Sequence, residues 1–98
     1  MKKLLLVLLL AHGYANASDE LLRKNNCTMC HATNAKVVGP SFVDISKKYQ
    51  NDKDAVAKLT KKVKQGGSGV WGNVPMPAHP QVSDSDLKTI VTHILKQK

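Results

Sequence analysis

A chain of 98 residues carrying 15 Lys and Arg against 7 Asp and Glu, formally +8, has room for one domain at most. Its two cysteines are separated by two residues, so a disulfide between them would close too small a loop to stabilise a fold. Aromatic residues make up 4% of the chain, too few to build a small core from large side chains alone.

The first segment reads as a leader rather than as part of that domain. Met1-Lys2-Lys3 is a basic start, Leu4 to Ala11 is an unbroken apolar run, and Ala15-Asn16-Ala17 is the small-x-small pattern that signal peptidases cut after. A retained anchor is the rival reading. Eight apolar residues span only ~12 Å of helix, against a hydrocarbon core of ~30 Å. Residues 1–17 are therefore expected to be a cleaved secretory signal peptide, with the domain covering 18–98 and no transmembrane segment in the mature chain. That places the protein in the periplasm. The 81 mature residues would carry +6 and three aromatics, Phe42, Tyr49 and Trp71. A domain of that size usually needs a disulfide, a metal or another staple, and a bulky apolar cofactor would supply what the side chains lack.

Asp19 to Asn26 reads as a short helix, with Ser18 or Asp19 near its cap and Leu21 and Leu22 facing inward. Ser41-Phe42-Val43-Asp44 opens a second helix that runs to about Tyr49, with serine as cap and an acid three residues on. Asp54 to Gln65 is a third, with Val56, Leu59 and Val63 spaced at three and four residues and Gly66-Gly67 as its stop. From Ser68 to Gln81 no period survives, because two glycines and three prolines break helix and strand alike, so a long functional loop is expected. Ser83 then caps a last helix whose Leu87, Ile90, Val91, Ile94 and Leu95 form one stripe. Asp84 and Asp86 suit the positive end of its dipole, Lys96 and Lys98 the negative end. The fold class is all-α, a single small domain of short helices.

Cys27-Thr28-Met29-Cys30-His31 is the Cys-x-x-Cys-His pattern of covalent c-type haem attachment. Drawn on a helix at ~100° per residue, Cys30 lies about −60° and His31 about +40° from Cys27, so all three share a face while Met29 points away. Two thiols can then add to two haem vinyl groups while the imidazole reaches the iron. A zinc site would want about four ligands, and beyond this cluster the mature chain offers only His79 and His93. A thioredoxin-type pair would want a βαβ setting that an all-α chain lacks. Met76 is the candidate sixth ligand. It stands in Val74-Pro75-Met76-Pro77, off any helical face, where flanking prolines stiffen an extended segment. His31/Met76 ligation raises the reduction potential and leaves no open coordination position, which suits electron transfer rather than catalysis.

The chain resembles the small bacterial class I monohaem cytochromes c of the c-551/c-552 type over nearly its whole mature length. Besides Cys27 to His31 it carries Val38-Gly39-Pro40, Gly69-Val70-Trp71-Gly72 and Val74-Pro75-Met76-Pro77 in that family's order and spacing. The resemblance implies four to five helices wrapped on one haem c, with the terminal helices packed across each other. It also implies that the Pro40 carbonyl meets the free ring nitrogen of His31, that the Trp71 indole N–H meets a haem propionate, and that Lys62 lies near the same propionate. Three departures stand out: Asn26 where relatives often carry glycine for close helix packing, His93 for an aromatic residue, and His79 where an asparagine often follows the methionine. His79 is thereby a second candidate ligand.

The expected function is that of a soluble single-electron carrier, not an enzyme by its lack of any Arg-His pair or acid near a distal pocket, and monomeric by its many lysines and lack of a long apolar patch. Spread lysines would steer it to redox donor and acceptor proteins with acidic docking patches, and not to nucleic acid. Two other functions fit the motif: a fixed haem relay within a larger oxidoreductase, and a ligand-binding or catalytic haem protein with a displaceable sixth ligand.

Overall fold

The computed structural model describes residues 17–98, and the leader expected over 1–17 lies, apart from Ala17, outside them. Four α-helices occur among the described residues: α1 (Ala17–Lys24), α2 (Phe42–Tyr49), α3 (Ala55–Gln65) and α4 (Asp84–Leu95), with a 3₁₀ turn at Cys27–Met29. Their starts follow side-chain chemistry. Ser41 Oγ accepts the Asp44 N–H at 3.0 Å, and Ser83 Oγ accepts that of Asp86 at 3.1 Å, each satisfying a donor that a helix N-terminus leaves open. α3 starts without a side-chain cap bond from its N-cap Asp54; just ahead of the helix, Asp52 Oδ1 accepts the Asp54 N–H at 2.9 Å. The helix stops at Gly66, whose φ of 68° belongs to the left-handed region.

α4 is the hub and packs against α1, α2 and α3. Leu87, Ile90 and Val91 are its most deeply buried residues; Leu87, Ile90 and Ile94 cluster with Leu22 of α1, Phe42 and Ile45 of α2, and Val82. Leu95, expected on the same stripe, is only half-buried. Its carbonyl instead accepts the hydroxyl of buried Ser46 at 2.7 Å, tying the end of α4 to α2. The terminal helices are joined by a polar link as well as by packing. His93 Nε2 lies 2.7 Å from Asp19 Oδ1, so the residue that departs from the family's aromatic holds α1 through a carboxylate.

α3 behaves differently. Of its apolar residues only Ala55 is fully buried, while Leu59 and Val63 are half-buried against the core. Their stripe completes the wall of a cavity rather than the packed interior.

α1 ends at Lys24, earlier than the sequence pattern indicates. The end has a local cause. Asn26 sits at φ 63°, the only non-glycine residue with positive φ among those described, and turns the chain out of the helix. Asparagine is among the few side chains that tolerate this conformation, which accounts for an Asn/Gly alternative there on backbone grounds rather than helix packing.

Candidate metal centre

The helical-wheel expectation for Cys27 to His31 needs correction, because the segment is a 3₁₀ turn entered through the left-handed Asn26. At three residues per 3₁₀ turn, Cys27 and Cys30 eclipse one another. The turn closes with the Cys30 N–H on Cys27 O at 3.2 Å and the His31 N–H on the same oxygen at 2.9 Å. Both thiols and His31 line one cavity, and Met29 does not: it is 70% exposed elsewhere. Neither thiol is bridged, and burial pushes the Cys27 thiol above its ordinary pKa, with Cys30 adding to the effect and a backbone hydrogen bond opposing it.

The cavity holds about 650 Å³ and its wall is mostly apolar. Phe42, Ile45, Leu59, Ile90 and Val91 contribute from α2, α3 and α4. The rim is apolar too. Val37, Val38, Val70, Trp71 and Val74 all line it, yet each is 45–65% exposed, surface that a small domain would bury if anything inside the chain could cover it.

His31 is held from three sides. Its Nδ1 lies 2.7 Å from the Pro40 carbonyl oxygen. A carbonyl only accepts, so Nδ1 carries the proton and Nε2 keeps its lone pair for a metal. Phe42 stacks on the ring at 5.6 Å between centroids, 29° from parallel. Gly39 presses on the remaining side, where a Cβ would stand 2.5 Å from His31 Cε1. The Gly39 N–H also bonds to Cys30 O at 2.8 Å, returning the chain across the cysteine turn.

Met76 lines the same cavity from the loop between α3 and α4. It is placed by a two-way backbone pair with Gly67: the Gly67 N–H donates to Met76 O at 3.0 Å, and the Met76 N–H to Gly67 O at 2.9 Å. Gly66 makes that approach possible, since a Cβ there would meet Met76 O at 2.5 Å and Ala78 N at 2.7 Å. Further along, the His79 N–H bonds to Val63 O at 2.9 Å. His79 itself is absent from the cavity wall, which leaves Met76 as the candidate ligand of that loop.

Pro40, Lys62 and Trp71 also line the cavity. Trp71 stands at the tip of a tight turn that the Gly69 N–H closes on Gly72 O at 2.8 Å. Sequence reasoning missed the packing of Gly39 on His31, for which its place just before Pro40 was the available signal. It also missed the Gly67–Met76 pair, which a loop without periodicity does not announce.

The residues present fit a haem. Two free thiols, an imidazole with its outer nitrogen occupied, and a thioether on a separate segment share one apolar cavity whose rim is exposed valine and tryptophan. Among the described residues no group of three or more His, Cys, Asp or Glu is arranged to hold a bare metal ion, so the zinc alternative lacks a donor set.

Comparison with known proteins points the same way. The family model described as cytochrome c matches residues 15–98. The chain is 49% identical over 90 residues to cytochrome c-552 of Nitrosomonas europaea, covering 92% of this chain and 87% of that one. It is 47% identical over 100 residues to cytochrome c-552 of Hydrogenobacter thermophilus, with both chains fully covered. The crystal structure of the Nitrosomonas europaea cytochrome c552 superposes with a TM-score of 0.78 at 48% identity, over 82% of this chain and 99% of that one.

Proposed function

Since the chain belongs to the cytochrome c family, whose members are haem-binding electron carriers with one covalent haem c, we propose that it is a periplasmic shuttle with His31 and Met76 as axial ligands and Cys27 and Cys30 as thioether anchors. The observation that carries this reading is the meeting of all four side chains on one apolar cavity. When bound, haem supplies an iron that alternates between ferric and ferrous.

The chain's own residues do the rest. Pro40 holds the His31 proton on Nδ1, which makes Nε2 the better donor. The Gly67–Met76 backbone pair holds the segment that carries the thioether on the cavity wall. Apolar walls from α2, α3 and α4 would keep water from a haem held there, an environment that would disfavour the more highly charged ferric iron. Trp71 and Lys62, both on the wall, are the proposed partners of a propionate. With a protein ligand, imidazole or thioether, proposed for each side, the carrier reading is favoured over a catalytic one. A leader over 1–17 accounts for export, and the +6 of residues 18–98 for steering a monomer toward acidic donor and acceptor surfaces.

Absorption spectra of the purified mature protein test the reading. The expected result is sharp c-type bands on reduction, a ferric methionine–iron charge-transfer band, and no response to carbon monoxide. Met76→Ala should keep the covalent haem and lose the methionine band. Carbon monoxide binding by the unaltered protein, or an unchanged Met76→Ala spectrum, overturns the ligand assignment.

A further inference from the structure

We propose that Lys48 is a positioning residue, a latch whose ammonium holds the Trp71 ring and thereby keeps the Met76 loop closed on the cavity. It rests on the assignment of Met76 as the sixth ligand. Residues 68–75 leave the body of the protein at Gly67 and return at Met76, and the backbone pair between those two fastens the base of the loop. The tip needs a fastening of its own. Its turn is closed internally, Gly69 N–H to Gly72 O, but that bond ties the tip only to itself. A Cβ built at Gly69 or at Gly72 would find no atom within 4 Å, so the backbone on both sides of the tip stands clear of the helices.

What reaches the tip is a side chain from α2. Lys48 Nζ lies 5.4 Å from the centre of the Trp71 ring, inside the range in which a cation is held by the face of an indole. Lys48 belongs to the last turn of α2, where its charge also suits the helix dipole. It is not part of the cavity wall, whereas Trp71 is. The lysine therefore acts on the cavity through the ring, without entering it. Lys62, the other lysine near this loop, differs in lining the cavity itself. Besides release of Met76 from the iron and of Trp71 from a propionate, loop opening needs both fastenings to give: the tip swings once Trp71 leaves Lys48, and the Gly67–Met76 pair then lies at the end of a free arm. An exposed latch of this kind biases closure by about two- to fivefold, which sets how often an outside ligand finds the iron.

The test uses the ferric holoprotein, with imidazole as the probe of loop opening and the Trp71 indole N–H resonance as the probe of the latch. Lys48→Gln should raise imidazole affinity about two- to fivefold and shift the indole resonance. Lys48→Arg, which keeps a cation on the ring, should restore both. In a Trp71→Leu background Lys48→Gln should change nothing further, and Trp71→Phe serves if the leucine variant does not fold. An indole resonance and imidazole affinity untouched by Lys48→Gln overturn the latch. So does an equal effect of Lys48→Gln with and without the ring, which would make Lys48 a distant charge. Absence of the methionine–iron band in the unaltered protein refutes the Met76 assignment instead, and the indole resonance still decides whether Lys48 holds Trp71.

Discussion

Gly39→Ala is the sharpest single perturbation of the site, because it adds one carbon against a ring that has nowhere to go. The new Cβ would stand 2.5 Å from His31 Cε1, 2.9 Å from Nδ1 and 3.2 Å from Nε2. Ordinary carbon contacts begin near ~3.5 Å, so the ring or the backbone must yield by about 1 Å. Nδ1 is tied to Pro40 O at 2.7 Å and Phe42 stacks on the ring, so a retreat breaks a hydrogen bond and disturbs a packed pair. Overpacking of this kind costs about 1–3 kcal/mol, and the lost hydrogen bond about 0.5–1.5 kcal/mol where it breaks. Gly39 has an ordinary φ, so no backbone strain adds to that. Guanidinium unfolding of the holoprotein should therefore show stability lowered by about 1–4 kcal/mol, seen as a lower midpoint at unchanged slope. The His31 Nδ1–H resonance should move with it. A midpoint and a resonance both equal to those of the unaltered protein would refute the claim that Gly39 is kept small by His31.

Other outcomes follow from single contacts. Asn26→Val should cost about 1–2 kcal/mol in the same unfolding assay, because a β-branched residue is forced to φ 63°, while Asn26→Gly should be neutral or slightly stabilising. Ser46→Ala removes the donor to Leu95 O and should cost about 1 kcal/mol. Asp52 is held below its ordinary pKa by its hydrogen bond from Lys58, helped by the Asp54 N–H, and Lys58 is correspondingly raised. The Asp52 contribution is present above the ordinary carboxylate pKa and is lost as pH falls through the lowered one. Asp52→Asn should thus lower thermal stability at pH 7 and converge with the unaltered protein in strong acid; a gap that persists there would speak against the pair.

Much of the fold was legible because helix capping and helical period are local properties. Ser41, Ser83 and the stripe from Leu87 to Ile94 each announce their element within a few residues, and the structure agrees with them. α1 was misjudged at its C-terminal end because its stop depends on a backbone state at Asn26, which a side chain that serves many conformations does not reveal. The same residue made the helical wheel at Cys27 to His31 unsuitable, although the three side chains still share a cavity. His93–Asp19 and Lys48–Trp71 join positions 74 and 23 apart, and nothing in the sequence pairs them. Leu59 and Val63 show the limit from the other side: an amphipathic stripe says that a face is covered, without saying whether protein or a cofactor covers it.

The supports of His31 and those of Met76 are separate local assemblies. Gly39, Pro40 and Phe42 surround the histidine from within about a dozen residues, and Gly66 and Gly67 seat the methionine from a similar distance. Closing loops of ~10 residues takes only tens of nanoseconds and costs little entropy, so each half can preorganise early and alone. What is slow is bringing the halves face to face, since that waits on α4 docking with α1 and α2 across the length of the chain. Contact separation thus favours two quick local folds followed by one slow closure, and a bulky group already tethered to the first half would give the second something to close upon.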